Sequence, residues 1–244
     1  MAHIIKTKAF VLRTRPFKES SLFAVLLTRK HGKVDVLAKG CRRPKSKLCG
    51  TLEVFNLDEI IYYKRETKDV YTLSDATVID DFEKIRSDAR TVNAALVLCE
   101  FFTKTLPPEE QNDEAYRLLR MFLNTLREID NTLVKPLTLY YVLRALSGAG
   151  VQPHIESCVT CRRPINSNAK KINFSLAAGG IVCERDFDDT AVYLDRETVN
   201  TLHQIYKKTD VDLKNMRFDE IEEILPNYLY HHLNNTVLHS LKHL

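Results

Sequence analysis

The stretch SLFAVLLTRKHGKVDVLAKG, Ser21 to Gly40, decides how the first part of the chain folds. Two apolar-rich runs, Ser21 to Thr28 and Lys33 to Lys39, flank a tight His31-Gly32 turn. In the second run Val34, Val36 and Ala38 alternate with Lys33, Asp35, Leu37 and Lys39, the period of a strand that buries one face. Working outward, Ile4 to Thr14 precedes this pair across the turn-like Arg15-Pro16-Phe17-Lys18-Glu19, and Val54 to Tyr63 and Val70 to Ile79 follow it. Five short strands in roughly 80 residues favour a small barrel of the OB type, because an open sheet would leave edges free to pair with other chains.

Beyond Asp80 the apolar period becomes helical. Asp81 to Lys104 places Ala94, Ala95, Leu98, Phe101 and Phe102 at helical spacing and ends before Pro107-Pro108; Glu114 to Glu128 and Leu133 to Leu146 repeat the pattern. Gly148, Gly150 and Pro153 close the third helix. Two more helical stretches are expected, Arg196 to Lys207 and Phe218 to the carboxyl terminus, with Pro226 kinking or splitting the last. The expected fold is therefore α+β and multidomain: a five-stranded OB-fold barrel over 1–80, then a mostly α-helical domain over 81–244, with a cysteine-rich, zinc-knuckle-like segment at 154–187. No internal repeat or low-complexity linker interrupts it.

At 244 residues, 44% hydrophobic and 28% charged, the chain is too large for a disulfide-stapled miniprotein and too ordinary in composition for a disordered or collagen-like one. Its clean apolar runs, such as Leu22 to Leu27, are far too short to span a bilayer. The amino terminus, MAHIIKTKAFVLRTR, mixes cations with apolar residues and has no secretion-type apolar block, so a cytoplasmic location is expected. The seven glycines form neither GxGxxG nor GxxxxGK[ST], and there is no GxSxG or HExxH. These absences argue against an ATP-driven motor, an α/β-hydrolase and a zinc metalloprotease.

Charge is distributed unevenly. The first 50 residues hold 13 Lys/Arg against two acids, a net of +11, whereas the remaining 194 hold 23 against 30, a net of −7. Such asymmetry points the amino-terminal part at a polyanion, with nucleic acid the leading partner. From Val36 to Leu52 there is no acid, yet Lys39, Arg42, Arg43, Lys45 and Lys47 fall within nine positions. Loop cations beside a barrel face can follow a phosphate backbone, and Arg13, Arg15 and Lys18 would widen the patch. Seven aromatics, Phe10, Phe17, Phe23, Phe55, Tyr62, Tyr63 and Tyr71, lie in this part; most belong in the core, and any exposed ring beside the loop could stack on a base. The competing reading is a merely solvated basic loop.

Six cysteines without a secretion signal suggest free thiols and a metal site. Cys158-Val159-Thr160-Cys161 is a CxxC knuckle, and Cys183 follows after 21 intervening residues behind Gly179-Gly180. Thiolates two apart can be presented to one tetrahedral ion by a single turn. Asp186 stands where a second CxxC would end, so a structural zinc held by Cys158, Cys161, Cys183 and Asp186 is the expectation, with His154 as a rival fourth ligand and a degenerate, empty knuckle as the alternative. Cys41, Cys49 and Cys99 lack ligand spacing, and Cys99 reads as core.

Three other groupings have ordinary explanations as well as functional ones. Asp80, Asp81 and Glu83 could hold a nuclease metal, but acids at a helix start are favoured by the helix dipole alone. His239 and His243, four apart on the last helix, read as surface residues. Arg117, Arg120 and Arg127 fall on one side of a helix built on Leu118, Leu119, Phe122 and Leu126, and could hold an acidic peptide or simply be solvated.

The run AFVLRTRPFKESSL (Ala9 to Leu22), then LTRKHGK (Leu27 to Lys33) and VLAKGCRRPKS (Val36 to Ser46), closely resembles the RecO family of bacterial recombination mediators, and the late knuckle with Gly179-Gly180-Ile181-Val182-Cys183 falls in the expected order. The resemblance implies an OB barrel joined to a helical domain that often contains a zinc knuckle. It also implies a protein without an active site that binds single- and double-stranded DNA and anneals complementary strands. Its implied partners are RecR and the acidic tail of single-stranded DNA-binding protein, and its implied task is to assist RecA loading. The basic loop with Lys39, Arg42, Arg43, Lys45 and Lys47 matches the family's DNA-binding region. Asp186 departs from the family pattern, since zinc-binding members have a fourth cysteine there. A zinc-containing adaptor that docks proteins, with incidental DNA affinity, is the alternative function.

Overall fold

A computed structural model describes residues 2–65, 67–165, 169–207 and 211–244. The chain forms two compact units, residues 1–129 with 243–244, and residues 130–242.

The first unit begins with five strands, β1 (Ala2–Phe17), β2 (Ser21–Thr28), β3 (Gly32–Ala38), β4 (Leu57–Arg65) and β5 (Val70–Asp80). They close in the order β1-β2-β3-β5-β4. One long strand makes closure feasible. The first half of β1 pairs antiparallel with β4, from Ala2 opposite Arg65 to Phe10 opposite Leu57, and its second half pairs with β2, from Ala9 opposite Thr28 to Phe17 opposite Ser21. A register shift between Val11 and Arg13 bends the strand where it passes from one partner to the other. The last seam is the parallel pairing of β3 with β5, Asp35 opposite Val70 through Ala38 opposite Leu73. β1 therefore runs past the expected Thr14: Pro16 and Phe17 stay paired, and the turn starts at Lys18, whose φ is 54°.

The alternation in β3 is as the sequence predicts, with Val34, Val36 and Ala38 buried beside Ala9, Val11, Ala24, Leu26, Ile60, Tyr62 and Leu73. The fourth strand starts later than Val54, because Phe55 has a φ of 60° and residues 52–56 are tied down instead, Phe55 N–H donating to Val11 O at 2.7 Å. After β5 the expected helix Asp81–Lys104 is two, α1 (Glu83–Arg86) and α2 (Ala89–Thr105). Asp88 takes an extended conformation between them and caps α2 by accepting from Arg90 N–H at 2.8 Å. Asn112 caps α3 (Asp113–Leu126) in the same way, accepting from Ala115 N–H at 2.8 Å.

The second unit contains α4 (Val134–Gly148), β6 (Lys171–Ser175), β7 (Gly180–Ile181), β8 (Ala191–Asp195), α5 (Arg196–Lys207) and α6 (Asp219–His232). The strands form a three-stranded antiparallel sheet, β7-β6-β8, absent from the sequence reading. Ile172, Phe174, Ile181 and Leu194 are its buried face. Pro226 lies within α6 without dividing it. The helix stops at His232 rather than the carboxyl terminus, because Asn234 and Asn235 both adopt left-handed conformations, φ 48° and 58°, that end a helix. Among the described residues no helix is long and apolar enough to cross a membrane.

Candidate nucleic-acid interface and metal centre

Between β3 and β4 the chain makes a series of tight turns. Gly40 and Gly50 supply positive φ, and Arg43, Ser46 and Cys49 each donate a backbone N–H to the carbonyl three residues back. Three apolar side chains, Cys41, Leu48 and Leu52, point down into the barrel core. Burial pushes the Cys41 thiol up, as expected for a core cysteine. The charged residues between these anchors, Lys39, Arg42, Arg43, Lys45 and Lys47, are all exposed, and none takes part in the ion pairs formed among the described residues. The loop thus fixes its apolar side on the barrel and leaves five cations facing water. At its end Leu52, φ 62°, donates its N–H at 3.1 Å to the carboxylate of buried Asp58, whose pKa burial raises to about 6.

The loop runs alongside the β1–β2 turn, Arg42 N–H donating to Ser20 O at 2.9 Å, which brings it next to Lys18. From that turn an exposed strand face continues with Arg13 and Arg15. Register puts Arg15 opposite Phe23 and Arg13 opposite Val25, and the Arg15 guanidinium lies 4.6 Å from the Phe23 ring centre. These residues line a cleft of ≈ 420 Å³ together with Lys33 and Asp35. Lys33 donates to Thr103 O at 2.8 Å; burial lowers its pKa and raises that of Asp35, which Lys33 and Arg15 pull back down. The participation of Lys33 and Phe23 was legible only once the hairpin register was known, since both sit on the outward side of strands whose inward side fills the core. Of the seven amino-terminal aromatics, Phe10, Phe55, Tyr62 and Tyr71 are buried, Phe23 is half-buried, and Phe17 and Tyr63 are exposed.

The arginine series on α3 divides. Arg117 and Arg120 are exposed, but Arg127 is half-buried, paired with Asp80 at 2.9 Å and lying over the Phe82 ring. Asp80 and Asp81 also cap the turn into α1, accepting from Phe82 N–H at 3.0 Å and Glu83 N–H at 3.1 Å. Those acids therefore serve the chain's own backbone, and among the described residues they form no metal-holding group. His239 and His243 lie in a short 3-10 turn rather than an α-helix, and His243 O accepts from Asn93 at 3.2 Å. Sequence reading missed Arg86, which donates to Val54 O at 3.0 Å and to Asn56 Oδ1 at 2.6 Å while covering the Phe55 ring at 4.1 Å. No motif announces it; only the fold brings its guanidinium to that loop. Cys99 is wholly buried, its thiol pushed up to about 12.

In the second unit the ligand atoms of Cys158, Cys161, Cys183 and Asp186 all lie within 4.8 Å of one another. Asp186 Oδ2 is 3.2 Å from Cys158 Sγ and 2.9 Å from Cys183 Sγ, and Cys161 Sγ is 3.8 Å from Cys183 Sγ. The segment is held by its backbone: Val159 N–H donates to Ile181 O at 2.8 Å, and Cys183 N–H points at Cys158 Sγ at 3.4 Å. Gly180 is required here, because a Cβ would sit 2.2 Å from His154 O. The Asp186 carboxylate pushes the Cys183 thiol up to about 11 by accepting its hydrogen bond. Three soft sulfurs and one carboxylate converging on a point make a donor set that fits a divalent metal ion. His154 is outside this group, its ring bonded to Ser157 Oγ at 2.9 Å.

Comparison with known proteins agrees with both halves of this description. Residues 1–82 match the family "Recombination protein O N terminal", and residues 86–242 match "Recombination protein O C terminal". A DNA repair protein RecO from Bifidobacterium adolescentis is 37% identical over 187 residues, covering 75% of this chain and 74% of its own length. The protein of that name from Caldicellulosiruptor bescii is 29% identical, covering 92% and 88%, and that from Alkaliphilus metalliredigens is 24% identical over 98% of both. Its barrel, its cysteine group and these matches from end to end place the chain in the RecO family of DNA repair proteins.

Proposed function

We propose that the protein is a non-enzymatic recombination mediator of the cytoplasm: it binds single- and double-stranded DNA, anneals complementary strands and, with RecR, helps load RecA onto DNA coated by single-stranded DNA-binding protein. The observation that carries this reading is the anchored loop with five exposed cations that enter none of the ion pairs formed among the described residues. Cations already paired within a protein offer little to a phosphate, whereas Lys39, Arg42, Arg43, Lys45 and Lys47 can release counterions from a strand on contact. Arg13, Arg15 and Lys18 extend the same surface along β1. Contacts of this kind go to phosphates and leave base edges available. Two strands whose backbone charges are neutralised on such a surface repel each other less, and pairing then supplies the driving force. The protein's part is neutralisation and proximity; no bond is made or broken.

The cysteine group is assigned to a structural zinc ion. For Zn–S bonds of about 2.3 Å, a tetrahedron sets sulfurs about 3.8 Å apart, the spacing found between Cys161 and Cys183. Zinc on Cys158, Cys161, Cys183 and Asp186 would cross-link the CxxC turn to the β7 segment. Arg117 and Arg120 on α3 are proposed to meet the acidic tail of single-stranded DNA-binding protein. The test of the whole reading is annealing of naked and of coated complementary oligonucleotides. Acceleration by the wild type and its loss in a variant neutralised at the five loop cations support the proposal; no acceleration by the wild type refutes it and favours a protein-docking adaptor.

A further inference from the structure

Beside the cysteine group, within the second unit, is a second surface with the chemistry of a nucleic-acid contact. Phe187 and Tyr193 are exposed, 44% and 59%, with ring centres 5.6 Å apart and planes inclined by 32°. Tyr193 stands opposite Asn173 on the outer face of the β6–β8 pair and lines a cleft of ≈ 400 Å³. Arg163, Lys171 and Arg185 line the same cleft against one carboxylate, Glu184, and none of the three belongs to an ion pair formed among the described residues. Of the neighbouring acids, Asp186 faces the thiols of Cys158 and Cys183 and also feels the charge of Arg163, Asp188 accepts from the Ser175 and Thr190 hydroxyls, Asp189 is exposed two residues beyond Phe187, and Asp195 stands opposite Lys171. Two solvent-facing rings cost free energy in water, while cations around them repel one another. A ligand with flat apolar faces strung on an anionic backbone relieves both.

We infer that this Phe187–Tyr193 surface is a second binding site for single-stranded nucleic acid, with bases stacking on the rings and phosphates meeting Arg163, Lys171 and Arg185. The inference rests on the proposed function for its class of ligand. It adds that the protein holds one strand on the barrel and another on the knuckle unit, so that a single molecule brings two strands together.

The chain contains no tryptophan, so Tyr193→Trp installs a single indole reporter at an exposed position. Oligothymidylate is titrated into full-length Tyr193→Trp and into the same variant carrying Arg42→Ala and Arg43→Ala, with indole emission reporting the knuckle and anisotropy of labelled oligonucleotide reporting total binding. Saturable quenching in both backgrounds, weakened about five-fold by Phe187→Ala, the equivalent of about 1 kcal/mol for one lost stack, supports the site. Emission that stays constant while anisotropy reports saturation overturns it and leaves the barrel assignment standing. Quenching that persists while the loop substitutions leave total binding unaltered supports the knuckle site and removes the loop from the proposed function. An equal response to polyglutamate overturns it in favour of an acidic peptide.

Discussion

Replacing Arg42 and Arg43 by alanine changes two exposed side chains on a loop held by Cys41, Leu48 and Leu52, so the barrel itself should be unaffected. The effect on DNA can be worked out from the number of cations. For single strands each neutralised phosphate contributes a slope of about −0.7 to log affinity against log salt. Five loop cations therefore predict a slope of roughly −3.5, rising in magnitude to roughly −4.9 if Arg13 and Arg15 also contact the strand. The double variant should lose about 1.4 from that slope, and its affinity deficit should shrink as salt is raised. Anisotropy of a labelled oligonucleotide across a salt series reads both quantities, and the unfolding midpoint of each protein checks that the substitutions act on binding alone. Parallel lines for wild type and variant, whatever their offset, would refute the reasoning, because they would mean that neither guanidinium displaces counterions.

Three further outcomes are expected. Asp58 is buried, with a pKa raised from 3.8 to about 6, so the stability it contributes is full below about pH 4 and lost as pH rises through 6; relative to the wild type, Asp58→Asn should gain roughly 3 kcal/mol between about pH 4 and 7 in urea unfolding, and a pH-independent difference counts against it. Metal analysis of protein purified without chelator should find one zinc per chain, retained by Asp186→Cys and lost in Cys161→Ser; equal metal content in all three would remove the cysteine group from the site. Gly32→Ala should destabilise the first unit by about 2 kcal/mol or more, since φ is +61° and its Cβ would lie 2.0 Å from Glu110 O, whereas Gly50→Ala, with open space around it, should cost only the left-handed conformation, about 1 kcal/mol; equal losses in chemical denaturation would contradict this.

What the sequence disclosed follows a physical pattern. The period-2 run at Val34, Val36 and Ala38 located β3, because burial of one face is written locally. The spacing of Cys158, Cys161, Cys183 and Asp186 located a group whose donor atoms converge as a metal ion would need, because ligand chemistry needs those residue types. The β6–β8 sheet carries the same alternation at Ile172, Phe174, Val192 and Leu194, but its strands are short and β8 is separated from its partner β6 by residues 176–190. Long-range partners left no local trace. Nothing near Arg127 announces that Asp80 captures it, nor near Cys41 and Leu48 that they plug a barrel end. Arg15-Pro16-Phe17-Lys18-Glu19 reads as a turn, yet pairing with β2 keeps Pro16 and Phe17 in the strand. Which loop cations stay outside the ion pairs formed among the described residues is also a tertiary fact, since it depends on where the acids end up.

Everything proposed for the barrel depends on the amino-terminal cations quenching repulsion between nucleic acid strands. Its most direct test is the rate at which two complementary oligonucleotides anneal with purified protein alone at low salt. Marked acceleration is expected, fading with added salt and abolished when Lys39, Arg42, Arg43, Lys45 and Lys47 are neutralised together. An annealing rate equal to that without protein, or an acceleration indifferent to salt and to those five substitutions, would contradict it.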